Sequence, residues 1–185
     1  MQIQSLNIPE VKIITPRKIG DERGFFSETY NKKHLAELGI EQEFVQDNHV
    51  FSAKVNTVRG LHFQIPPYAQ CKLIRVIQGA VLDVAVDIRK GSPYYGRYVS
   101  AVISETDWNQ IFIPVGFAHG LITLEENTTV LYKVSSHFSP EHDKGLIWND
   151  PDIGINWQVS LEKATLSEKD RHQPRFRDLP DYFVY

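Results

Sequence analysis

The sequence has little of what would narrow its function quickly. It holds a single cysteine, Cys71, in 185 residues. One cysteine cannot form an intrachain disulfide, and sparse use of cysteine fits a reducing compartment. Within "AQCKLIRVIQG" the thiol reads as a small buried side chain rather than a nucleophile. No apolar run approaches the ~20 residues that a membrane helix needs. The opening "MQIQSLNIPEVKII" has no basic region followed by an apolar stretch, so the sequence predicts no secretory leader and a cytoplasmic location. Basic residues are not in excess: 20 Lys and Arg stand against 23 Asp and Glu, for a formal charge of −3. That balance argues against a general binder of nucleic acid or membrane surfaces, but it permits a local cationic pocket for a phosphorylated small molecule. A Gly-rich dinucleotide turn, a βαβ rhythm and internal repeats are also missing.

What is present is a chain of ordinary globular composition, 42% hydrophobic and 23% charged. Its length favours one domain over residues 1–185, with enough chain to bury a core. Short segments rich in β-branched and aromatic residues, such as "AVLDVAVDI", "RYVSAVI", "HGLITL" and "TVLYKVSS", alternate with turn chemistry such as "RKGSPYYG" and "EENT". This spacing predicts an antiparallel sandwich or barrel. Helices look peripheral. "NKKHLAELG" offers Asn31 as a cap and Gly39 as a stop, and "LSEKDRHQP" offers Ser167 as a cap. The closing "RFRDLPDYFVY" reads as irregular chain laid on the surface. Strand parity puts Leu82, Val84, Val86 and Ile88 on one face, read as core, and Val81, Asp83, Ala85 and Asp87 on the other, read as solvent or a polar cavity.

Two stretches carry chemistry. "IFIPVGFAHG" runs a strand through Pro-x-Gly-x-x-His, a turn that resembles the second motif of the cupin superfamily, a double-sheet jelly roll with its site inside the barrel. Metal-dependent cupins add a His-x-His pair and a glutamate from their first motif. Here "GLHFQIPPYAQCKLIRVIQG" matches only the first histidine, His62; Gln64 occupies the second position and Lys72 lies near the carboxylate's place. An ammonium repels a dication and has no lone pair for it, so no metal is expected and a site that moves protons is favoured. Proton abstraction beside a ketone needs a base of near-neutral pKa, which histidine supplies. It needs a cation or donor for the enolate oxygen, which Lys72 offers. Inversion also needs a proton returned to the opposite face, which a tyrosine such as Tyr132 can deliver.

The joint pattern of "DERGFFSETYN", "FVQDNH", "VRGLHFQ", "DVAVDIRKGSPYYG", "IPVGFAHG", "LYKVSSHFSPEHDKGLIWNDPDIGINW" and "LSEKD", in that order over roughly residues 6–172, resembles the dTDP-4-dehydrorhamnose 3,5-epimerase family. The resemblance implies an all-β fold, a cupin-type double-sheet jelly roll barrel with a few short peripheral helices. It implies a cofactor-free, metal-independent homodimer that inverts C3 and C5 of dTDP-4-dehydro-6-deoxy-D-glucose on the route to dTDP-L-rhamnose, with no nucleic-acid or membrane partner. By the same resemblance His62 is the base, Asp170 its orienting carboxylate, Lys72 the enolate stabiliser and Tyr132 the proton donor. His119 is implied as a sugar contact, Arg59 and Lys169 as diphosphate or nucleotide contacts, and Gln46 and Asn48 as nucleotide-binding polar residues. Arg23, Phe25 and Glu28 resemble a segment reaching the nucleotide in the partner subunit's site. Phe138, after His137, and Asp143 stand where the family usually has another aromatic or hydroxylated residue and a glutamate. Both are expected at the substrate, with altered base stacking or loop contacts.

Other readings make different demands. A relative that inverts only C3 or only C5 would share these motifs and differ in product. A metal-dependent cupin oxygenase would need the ligands that Gln64 and Lys72 replace, and a cupin that only binds sugar would not need base, acid and enolate stabiliser together. Two demands fall on the structure. Arg59 is out of phase with His62 in an ideal strand, so both reach one ligand only if the chain bends near Gly60. Either Asp170 or Asp83 can be the carboxylate beside His62. Trp148 reads as packing.

Overall fold

Alternating apolar and polar residues build two antiparallel sheets. The computed structural model describes residues 1–185, apart from the side chain of Leu161. The first half of the chain forms β1 (Gln2–Ser5), β2 (Lys12–Thr15), β3 (Ile19–Asp21), β4 (Gly24–Phe26), α1 (Lys32–Glu37), β5 (Gln46–Ser52), β6 (Val58–Gln64), β7 (Lys72–Gln78), β8 (Ala80–Asp87) and β9 (Arg89–Lys90). Then follow β10 (Tyr98–Ser104), β11 (Gln110–Ile113), β12 (Phe117–Thr123), β13 (Thr128–Val134), β14 (Asp143–Gly145), α2 (Glu168–Arg171) and β15 (Phe183–Val184). One sheet is six-stranded, in the order β1-β2-β11-β7-β13-β5; the other is five-stranded, in the order β10-β8-β12-β6-β14. Their inner faces meet in one buried cluster, where Ile74, Val76, Ile111, Ile113 and Val130 oppose Val81, Ala85, Ile103 and Leu121. This is the cupin-type double-sheet jelly roll that the motifs imply.

The parity reading of β8 holds for its apolar face, which is buried core, and for the other face only the solvent alternative is overturned. Every residue of this strand is buried. Val81, Asp83, Ala85 and Asp87 face the barrel interior rather than solvent, while Leu82, Val84, Val86 and Ile88 form the outer face. That outer face is covered by Leu146, Trp148, Ile153, Trp157 and Phe183, and the Trp157 indole N–H donates to the Trp148 carbonyl at 2.7 Å. Trp148 is packing, as expected. The C-terminal segment is also more regular than its sequence predicts. It ends in β15, which pairs in parallel with β9 (Phe183 opposite Arg89), because Phe183 has an apolar face to bury against.

Both helix caps form as expected. The Asn31 side chain accepts from the backbone N–H groups of Lys33 and His34, and Leu35 is the residue that α1 buries. The Ser167 side chain accepts from the Asp170 N–H at the start of α2. Leu35 and Ile40 pack with Cys71, Leu73 and Phe112 on the outside of the six-stranded sheet. Burial pushes the Cys71 thiol up, in keeping with a packing role.

β6 carries the bend that the sequence requires. Its pairing with β12 runs from His62 opposite His119 to Arg59 opposite Leu121, so three steps on β6 match two on β12. The extra residue is a bulge that turns Arg59 and His62 to the same, inner face. Gly60 is required there: its φ is +106°, and a Cβ would stand 2.5 Å from the His119 carbonyl oxygen.

Candidate active site

The inner faces of the strands converge on a cavity of about 470 Å³ at one end of the barrel. Its polar lining includes Arg59 and His62 from β6, Lys72 from β7, His119 from β12, Tyr132 from β13 and Asp170 from α2. An adjoining pocket of about 270 Å³ shares His62, Lys72 and Tyr132 and adds Gln46, Asn48, Phe138, Asp143 and Lys169. Eleven of the residues singled out in the sequence therefore line one continuous site.

His62 and Asp170 form its tightest polar contact. His62 Nε2 lies 2.6 Å from Asp170 Oδ1, and the carboxylate's other oxygen accepts from the Ser167 hydroxyl at 2.7 Å. Burial works to raise the Asp170 pKa, but the hydrogen bonds from His62, Ser167 and the Gly60 N–H outweigh it and hold the carboxyl below its usual range. An ionised carboxylate only accepts, so in the neutral imidazole the shared proton sits on Nε2 and Nδ1 keeps the basic lone pair. Asp83 is not this partner. Its two oxygens lie 3.1 and 3.0 Å from His119 Nε2, on adjacent strands β8 and β12. Burial drives the His119 pKa down despite Asp83, so His119 stays neutral and donates from Nε2 to the carboxylate.

Lys72 points into the same space, with Nζ 3.2 Å from the His62 carbonyl oxygen. Burial brings its pKa down to about 8, against the attraction of Asp143 and Asp83. At neutral pH it is an ammonium, a donor for negative charge developing on a substrate oxygen. Burial also pushes the Tyr132 hydroxyl above its usual range, so it keeps its proton. Arg59 is braced by Ser52 Oγ at 3.1 Å and the Phe51 carbonyl at 3.0 Å. Asp143 and Lys169 form an ion pair at the rim. A histidine of fixed tautomer, a buried ammonium and a protonated tyrosine thus face one cavity, a set chemically equipped to take a proton from carbon beside a carbonyl and return one.

Arg23, Phe25 and Glu28 lie outside the two pockets. Arg23 pairs with Asp21 across the β3–β4 turn, Glu28 pairs with His34, and Phe25 packs edge-on to Trp108 at 4.9 Å. This hairpin is exposed, with Phe26 at 68%. The sequence reading missed Ser167 as the brace of Asp170, seeing only a cap. The signal was present, since an N-cap serine three residues before the carboxylate reaches both its backbone and its side chain. Gln64, noted only as an interruption of a metal motif, is buried with both amide atoms hydrogen-bonded. No group of three His, Cys, Asp or Glu is arranged to hold a metal among the described residues.

Comparisons with known proteins agree on one family. The family model described as dTDP-4-dehydrorhamnose 3,5-epimerase matches residues 5–178. A dTDP-4-dehydrorhamnose 3,5-epimerase of Sinorhizobium fredii is 51% identical over 189 residues, covering 100% of this chain and 94% of that one. The enzyme of the same name from Shigella flexneri is 44% identical, with 100% of each chain covered. The crystal structure of a dTDP-6-deoxy-D-glucose-3,5-epimerase from Legionella pneumophila, in complex with dTDP-4-keto-L-rhamnose, superposes with a TM-score of 0.94 at 39% identity, covering 100% of this chain and 98% of that one.

Proposed function

The chain belongs to the dTDP-4-dehydrorhamnose 3,5-epimerase family, and from that premise we propose how its own residues carry the reaction. The enzyme is an isomerase that converts dTDP-4-dehydro-6-deoxy-D-glucose to dTDP-4-dehydro-L-rhamnose by inverting C3 and C5. Both carbons flank the C4 ketone, so loss of either proton gives an enolate with its charge on O4. His62 Nδ1 takes the proton, and Asp170, braced by Ser167, fixes the tautomer and stabilises the imidazolium that forms. Lys72 donates to O4. Tyr132 returns a proton to the opposite face of the carbon; a base that restored the proton to the face it left would only regenerate the substrate. Each inversion therefore consumes a proton from Tyr132 and leaves one on His62, and solvent restores both.

Arg59, Lys169, Gln46 and Asn48 hold the diphosphate and nucleoside, Phe138 and Asp143 complete the nucleotide end, and His119 contacts the sugar. The single observation that carries this reading is the 2.6 Å His62–Asp170 pair opening on a cavity shared with Lys72 and Tyr132. NMR of the product formed in deuterium oxide tests it. Inversion and deuterium at both C3 and C5 are expected; inversion at one carbon only would make the enzyme a single-site epimerase.

The exposed β3–β4 hairpin supports a second element of the reading. Arg23, Phe25 and Glu28 reach the nucleotide in the partner's site, so the working unit is a homodimer with composite sites, each subunit one domain, in the cytoplasm. Mixing Arg23→Ala and His62→Asn subunits should restore activity, because one site of the mixed dimer keeps both residues. No recovery after demonstrated subunit exchange would place Arg23 and His62 in one chain's site.

A further inference from the structure

Three glutamine side chains converge on one short piece of backbone at the mouth of the site. Residues 136–139 connect β13 to the segment before β14 and carry Phe138, a residue that is 57% exposed. Gln70 Nε2 donates to the Ser136 carbonyl at 2.7 Å. Gln64 Nε2 donates to the His137 carbonyl at 3.1 Å and to the Tyr68 carbonyl at 2.7 Å, while its Oε1 accepts from the Ser139 N–H at 2.7 Å. Gln46 Oε1 accepts from the Phe138 N–H at 3.0 Å. All three glutamines and Phe138 line the same pocket. Gln64 is the centre of the arrangement: it is only 3% exposed, it sits two residues from His62, and it holds the loop on both sides of Phe138.

Only a carboxamide can make these contacts, because it presents a donor and an acceptor on one rigid plane. A carboxylate at position 64 would face two carbonyl oxygens with no proton to offer. Phe138 has an open aromatic face beside cationic and amide groups, which suits a planar heteroaromatic ring linked to phosphate.

We propose that Gln64 is a positioning residue for nucleotide recognition, holding the 136–139 backbone so that the Phe138 ring stands ready to stack on the base. It fills the place of a metal-ligand histidine in other cupins and performs loop placement there instead of ligand chemistry. The inference rests on the reading of this pocket as the nucleotide end of a dTDP-sugar site.

The test is a double-mutant cycle on dTDP affinity, measured by calorimetry, with kcat and KM for the dTDP-sugar alongside. Gln64→Glu should weaken dTDP binding and raise KM by about tenfold while kcat changes by less than about threefold. In a Phe138→Ala background the same change should cost much less, because the ring it positions is gone. Additive effects, or a loss confined to kcat, would overturn the inference. Gln70→Met, which releases only the Ser136 carbonyl, repeats the cycle with a milder change should Gln64→Glu not fold, and the same coupling is required of it. Failure of the parent enzyme to bind dTDP at all would instead refute the reading of the site.

Discussion

Two His–Asp pairs face the same cavity, and their differences separate two jobs. His62 is paired across 108 residues of sequence to Asp170 on a short helix, at 2.6 Å, with its side chain 31% exposed. His119 is paired to Asp83 on the neighbouring strand, at 3.0 Å, with its side chain 11% exposed and Asp83 at 0%. The first imidazole stands where substrate can reach it, and its carboxylate is held by hydrogen bonds that outlast a change in the ring's charge. The second is set in the barrel wall, where burial keeps it neutral and its Nε2 is committed to Asp83. In the proposed mechanism the same pair of residue types serves as a base in one place and a fixed polar contact in the other. Solvent access and the origin of the carboxylate decide which.

Exchanging the two histidines for asparagine should split them most widely. His62→Asn should lower epimerisation and substrate deuterium exchange by about 10²–10⁴-fold. His119→Asn should raise KM more than it lowers kcat and should leave exchange detectable. Equal loss of exchange in both would erase the distinction. The carboxylates should differ in the same sense. Asp170→Asn permits the wrong tautomer of His62 and should reduce kcat by on the order of 10²-fold or more. Asp83→Ala leaves the buried His119 N–H unpaired and should appear chiefly as lost stability, about 1–3 kcal/mol in a denaturant titration.

A smaller effect concerns pH. Lys72 lies at about 8 in the free enzyme, below the ordinary lysine value, because burial disfavours its ammonium. The charged donor is therefore present below that pH and lost above it. The kcat/KM profile should fall as pH rises through about 8, and Lys72→Arg, whatever its overall rate, should lack that limb because a guanidinium stays charged. An alkaline limb unchanged in Lys72→Arg would assign it to another group.

Much of this contrast was legible in the sequence, for local reasons. The Pro-x-Gly-x-x-His turn placed His119, the Asn31 and Ser167 caps announced α1 and α2, and the phase conflict between Arg59 and His62 demanded the bulge at Gly60. What was not legible depends on distant chain. Apart from the family resemblance, which favoured Asp170, the residues alone did not choose between Asp170 and Asp83, because the choice is made by how α2 docks beside β6. The outer face of β8 could not be told from its inner one, since its cover comes from residues 146–183. Gln64 read as a missing ligand because two of its three partners, the His137 carbonyl and the Ser139 N–H, lie more than 70 residues away in sequence.

The central claim is that His62 removes the proton and Tyr132 returns one from the other side. Tyr132→Phe deletes only the hydroxyl, so packing is retained. The measurement is substrate hydrogen exchange and product inversion followed together by NMR in deuterium oxide. Exchange through His62 should persist while inversion falls sharply, so the ratio of exchange to inversion rises. Loss of both rates by the same factor would contradict the two-face mechanism.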